Sequence, residues 1–142
     1  MREILFRGKT NEGNWIEGQL LHFKESVGSR ELSVIVEGCE WDNSNEWFNL
    51  GKRAKVITET VGQYTGLTDK NGKKIFAGDI VDCWSEGVNA KGPVQQRQDG
   101  LWIMYPSCQN NIMWGLCPDE HSHTTVEVIG NIHDNPEILK AD

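Results

Sequence analysis

A chain of 142 residues is long enough to bury roughly two thirds of its unfolded surface without disulfide or metal staples. Its net charge of −7 argues against a protein built to neutralise phosphates, and no apolar run approaches the ~20 residues of a helical membrane span. Fifteen glycines in so short a chain favour many turns and short strands over a helical bundle. The apolar share, 37%, is modest, although six tryptophans offset it. The expectation is a small core with aromatic anchors, or one completed by a partner subunit. Only three apolar residues separate Glu3 from Arg7, too few for a secretory core, so a soluble cytoplasmic protein is expected. Cys39, Cys83, Cys108 and Cys117 form no C-x-x-C pair and read as free thiols.

Along the chain, the apolar run Ile4–Phe6 ends at Arg7-Gly8, and 9–14 read as a turn. With the stretch from Trp15 to His22 this makes a hairpin around an Asn/Gly turn. Leu32–Val36 is β-branched and reads as a strand. Residues 37–51 are rich in Asn and Trp without a period and read as a long loop or protruding arm. Trp41, Trp47 and Phe48 in that arm form a candidate contact surface if exposed, the competing reading being that they fold back onto the core.

Val56–Val61 reads as another strand, followed by Gln63-Tyr64-Thr65-Gly66-Leu67. Asn71-Gly72 is the strongest hairpin-turn signal in the chain, since both residues tolerate positive φ. Gly78-Asp79 is a second tight turn and feeds the strand Ile80–Trp84. Residues 85–93 read as a loop, Val94–Arg97 and Leu101–Tyr105 as a hairpin, and 106–122 as a loop. Thr124–Ile132 alternates as a strand should, and Pro136 pre-sets a short terminal helix over Glu137–Lys140. The fold class expected is all-β with little helix: one domain over 1–142, a small bent barrel assembled from hairpins. The Gly-Asp turn is compatible with an SH3-like barrel.

Three segments carry a resemblance to a known family. They are Phe6-Arg7-Gly8-Lys9 with Trp15 and Gly18; Gln63 to Leu67 with Asp69, Asn71-Gly72, Ile75-Phe76 and Gly78-Asp79-Ile80-Val81; and Val128-Ile129-Gly130-Asn131-Ile132 with Asn135-Pro136-Glu137 and Leu139. In that order they resemble the YopX family of phage and prophage proteins. The Glu usual before Gly-Asp in that family is Ala77 here. The resemblance implies a β-rich fold, a prophage origin in a bacterial host and homo-oligomerisation, and it supplies no catalytic residues. The motif residues Gln63, Tyr64, Thr65, Gly66, Asp69, Gly72, Gly78, Asp79, Gly130 and Asn131 read as scaffold first. Gly permits turns, and Asp and Asn accept backbone N–H bonds there.

Four chemistries compete. Cys108, Cys117, His121 and His123 offer soft ligands, but C-x8-C-x3-H-x-H matches no standard zinc spacing, and the reading preferred is loop histidines with buried thiols. No metal or cofactor is therefore expected. Asp69, Asp79, His133 and Asp134 would serve acid–base work only if folding brought them together, and no nucleophile or phosphate motif accompanies them, so no enzyme is expected. Trp and Tyr stack on single-stranded bases in small β-barrels, which keeps a nucleic-acid barrel as the alternative. The basic clusters Lys52, Arg53, Lys55 and Lys70, Lys73, Lys74 are short, and the acidic balance opposes that reading. The reading preferred is a non-enzymatic binding or assembly module that self-associates or binds a host or phage protein, with no membrane partner.

Overall fold

The computed structural model describes residues 3–28, 30–85, 87–108 and 112–140. The protein is all-β, in two sheets, and its named strands pair antiparallel. It divides into two compact units, 1–63 and 64–142.

The first unit is a meander. Strands β1 (Phe6–Lys9), β2 (Trp15–Lys24), β3 (Glu31–Asp42) and β4 (Trp47–Val56) pair in the order β4-β3-β2-β1. The first two residues of β5 (Gly62–Thr68) lie beside β1. One face carries the core, in which Ile16, Ile35 and Val56 are buried and Phe6, Leu20, Ala54 and Val61 pack against them.

The second unit continues β5 into β6 (Lys74–Phe76). It then builds the order β10-β9-β8-β7-β11 from β7 (Asp79–Ser85), β8 (Val88–Gln96), β9 (Trp102–Met104), β10 (Trp114–Gly115) and β11 (Glu127–Asn131). Its core joins Leu67, Ile75, Val81, Cys83, Ala90, Val94, Met104, Leu116 and Val126.

Four turns close alike: the fourth residue donates to the carbonyl of the first, and the first to the carbonyl of the fifth. They span 10–14, 69–73, 97–101 and 119–123. That geometry needs a left-handed residue in fourth place, which Gly72 supplies at φ 82° and Ser122 takes at φ 66°. Gly72 alone carries the reversal; Asn71, though tolerant of positive φ, does not use it.

Several expectations are corrected. Neither sheet closes among the described residues, so the strand order gives open sheets in place of the bent or SH3-like barrel. Residues 37–51 are not a loop but the two paired strands of a hairpin. Its register runs from Glu37↔Lys52 to Asp42↔Trp47, so backbone pairing supplies the order that side-chain alternation does not announce. Beyond Val56 the expected strand gives way to a 3-10 turn at Thr58–Thr60. There the Thr60 hydroxyl donates to the Ile57 carbonyl at 2.6 Å and accepts from the Lys9 N–H at 2.9 Å, pulling the chain out of extension.

The expected loop 85–93 is mostly strand β8, which pairs with β7 as far as Ile80↔Pro93. Of the expected loop 106–122, residues 109–111 lie outside the described residues, and β10 occupies Trp114–Gly115. The terminal helix is a single 3-10 turn, Pro136–Leu139.

Candidate functional site

The first unit has an apolar surface on both sides of its sheet. Alternation along a strand sends neighbours to opposite faces. Leu20 and Ile35, paired in register, face the core; Leu21 and Phe23 face away, and each is 45% exposed. Three glycines crease the sheet. Gly38 (φ 81°) stands opposite Gly51, between the pairs Glu37↔Lys52 and Cys39↔Leu50, and Gly18 stands just before the pair Gln19↔Val36. A methyl group at Gly18 would overlap the Val36 carbonyl oxygen, and one at Gly51 the carbonyl of Glu37. Only residues without a Cβ let the three backbones approach so closely.

Beside the crease, Leu5, Leu21, Val36 and Leu50 line a groove of about 590 Å³, together with Glu17, Gln19 and Glu37. Beyond it the β3–β4 hairpin carries its aromatics into solvent, with Trp41 59%, Trp47 63% and Phe48 45% exposed. Trp47 stacks on Phe48, centroids 5.7 Å apart and planes 16° from parallel. Asp42 fixes the tip: its carboxylate accepts from the Ser44 hydroxyl at 2.6 Å, the Ser44 N–H at 3.0 Å and the Asn45 amide at 3.0 Å. These donors, Ser44 foremost, hold the Asp42 carboxyl below the usual carboxylate range. The hairpin's charge is polarised. Glu40, Asp42 and Glu46 lie toward the tip, whereas Lys52, Arg53 and Lys55 occupy the exposed base of β4. Protein interfaces of this make-up bury aromatic and aliphatic area, with charge setting orientation.

The motif residues take other positions. Gln63 is exposed opposite Phe6. Tyr64 lies against Phe76, centroids 5.5 Å apart, with the Lys74 ammonium 5.7 Å from its ring centre. Thr65 is buried; its hydroxyl donates to the Ile75 carbonyl at 2.8 Å and accepts the Leu67 N–H at 3.1 Å. Gly66 sits in β5 where the pairing with β6 shifts register.

Asp69, 2% exposed, accepts three backbone N–H bonds: Asn71 and Lys73 at 2.9 Å on one oxygen, Val128 at 3.0 Å on the other. Burial pushes its carboxyl up, but those donors and the Lys73 charge outweigh burial and leave it below the usual range. Asp79, 1% exposed, accepts the Phe76 N–H at 2.8 Å. Gly78 donates to the Val94 carbonyl, and Asn131 accepts the N–H groups of His133 and Asp134 at 3.0 and 2.9 Å. Gly130 leaves room for the Asn135 amide. Asp69 and Asp79 thus hold backbone amides from buried positions, a poor setting for proton transfer to a substrate.

The soft ligands are spread through different local contacts. His123 Nδ1 lies 2.6 Å from the Thr68 hydroxyl, His121 is exposed, and the Cys108 thiol points to the Ile138 carbonyl at 4.0 Å. Cys117 is exposed. Among the described residues no three His, Cys, Asp or Glu converge on a metal-sized space. The Cys83 thiol is pushed up to about 12, first by burial and then by Asp82 and Cys117, which makes it a poor nucleophile. Of the basic clusters, Lys70 pairs with Glu127 at 2.9 Å, while Lys52, Arg53 and Lys55 stay exposed. No helix among the described residues is long and apolar enough to cross a membrane. Sequence reasoning missed the crease and the groove, although glycine inside a strand is the sign of close backbone approach.

Residues 5–140 match the YopX protein family. The chain belongs to this family. Its fold is similar to the crystal structure of protein EF1440 from Enterococcus faecalis, with a TM-score of 0.59 and 20% sequence identity, covering 99% of this chain and 100% of that one. At that identity the likeness speaks for the fold alone. No curated protein matches the chain.

Proposed function

We propose that this YopX-family protein is a non-enzymatic binding or assembly module, and that the creased β2–β3–β4 arm is its working surface. The observation that carries the reading is the solvent exposure of Trp41, Trp47 and Phe48 on one hairpin beside an apolar groove. Contiguous exposed aromatic surface of this kind is what protein interfaces bury. The partner is a second copy or a host or phage protein, and the setting is the cytoplasm of a bacterium carrying the prophage. Membership of the YopX family supports that setting.

The test is association measured by light scattering, with pull-down from host lysate in parallel. Self-association or a stoichiometric partner is expected. Trp47→Ala with Phe48→Ala should abolish it while leaving the melting temperature nearly unchanged, because both side chains are exposed. A monomer with no recovered partner would sink the reading.

One observation favours a second reading, nucleic-acid binding: Lys52, Arg53 and Lys55 share a strand with Trp47 and Phe48, an aromatic and basic pairing suited to single strands. The acidic tip opposes it. Salt separates the two, since phosphate contacts weaken steeply with ionic strength and an apolar interface does not.

A further inference from the structure

We infer that the outer edge of β4 is a self-complementary pairing edge, on which a second copy of this chain adds its own β4 antiparallel about a two-fold axis. The inference rests on the assembly reading and names its partner and geometry. Strand β4 ends the sheet order, and among the described residues it pairs only with β3. It spans ten residues, Trp47–Val56, without a proline. An edge that long and regular is a template for another strand unless charge or shape blocks it.

Here the blocking charges are confined to one half. Lys52, Arg53 and Lys55 occupy the end nearest the core, while Trp47-Phe48-Asn49-Leu50-Gly51 carries no charge. Parallel in-register pairing would set each cation against its own copy. Antiparallel pairing centred near Leu50 and Gly51 does the reverse: it lays Trp47 and Phe48 of each copy against the cationic half of the other. Arg and Lys over an indole or phenyl face attract, and these exposed pairs become sheltered on assembly. Side-chain parity agrees, since a strand paired about its own centre keeps odd residues opposite odd ones and both apolar faces continuous. A C2 contact of this kind uses the same patch twice and closes at two copies.

The experiment is sedimentation of the full chain across micromolar to millimolar concentration, with hydrogen exchange of the 47–55 backbone measured at both ends of the range. A dimer is expected whose β4 amides exchange more slowly as concentration rises. Arg53→Glu with Lys55→Glu should raise the dissociation constant by about tenfold or more, because it replaces the cations on the face of the partner's Trp47 ring with anions. Lys24→Glu, on β2, is the control of equal charge change per residue and should leave dimerisation alone. A circular-dichroism melt matching the native protein certifies that the double variant is folded. A dimer with concentration-independent exchange in β4 would overturn the edge and leave the assembly reading standing on another surface. A monomer at every concentration would overturn the second copy as partner, and the assembly reading would then be decided by its own pull-down.

Discussion

In the unit of residues 64–142, nine buried apolar residues meet in one cluster, and two buried carboxylates hold the turns that frame it. In the unit of residues 1–63, three buried apolar residues form the cluster, while Leu21, Phe23, Trp41, Trp47 and Phe48 face solvent. The difference separates two uses of apolar residues in one chain. Both units leave large apolar side chains in solvent, Trp84, Val88 and Ile112 among them in the second, but the first sets its exposed aromatics against a much smaller core. Exposed aromatic surface that does not serve folding is what interfaces bury, and for that reason we propose the working surface on the arm and not among the family's motif residues.

The comparison breaks first at the crease. Gly18→Ala puts a methyl group onto the Val36 carbonyl and should cost about 3 kcal/mol as the β2 and β3 backbones separate. Chemical denaturation would measure it, and a neutral result would mean that the strands do not approach as closely as described. Next comes the frame of the second unit. Asp69→Ala strands three backbone N–H groups and should cost about 2–3 kcal/mol, seen as a Tm lower by about 5–10 °C.

The same carboxylate gives a pH dependence of definite sign. Its folded pKa is depressed, so the unfolded chain binds its proton more tightly. The stabilisation is complete above the ordinary carboxyl range, about pH 4, and is lost as pH falls through the lower folded value. Asp69→Asn should flatten that acid limb in melts recorded from neutral pH downward.

Smaller effects test the shared turn geometry. Gly72→Val forces a β-branched residue into φ 82° and should cost about 1–2 kcal/mol. An unchanged melting temperature would remove the turn as described. Ser122 occupies the equivalent place at φ 66°, so Ser122→Gly should be neutral or stabilise by up to about 1 kcal/mol. Opposite signs at two equivalent positions would show that the left-handed residue, and not local packing, sets the balance.

Much of this was legible in the residues themselves. Asp69-Lys70-Asn71-Gly72 announces its turn because an Asp acceptor and a left-handed Gly act within five residues. The hairpins on either side follow from β-branched runs bounded by such turns. Thr58–Thr60 carries strand propensity, but a single hydroxyl, bonding to a carbonyl three residues back, overrides it. Residues 37–51 read from sequence only as a loop or arm, and their strand pairing goes unannounced, because both faces of that hairpin are wet and no hydrophobic alternation marks it.

The sequence by itself determined an all-β chain of hairpins, the place of its main turns and its membership of the YopX family, since turn chemistry and strand propensity act over a few neighbouring residues. Only the tertiary structure decided that Gly18, Gly38 and Gly51 meet in one crease, that the Asp69 carboxylate reaches Val128, and that β4 ends its sheet with aromatics at one end and cations at the other. Those facts depend on strand register and sheet order, which join residues far apart in the chain and leave no local pattern to read.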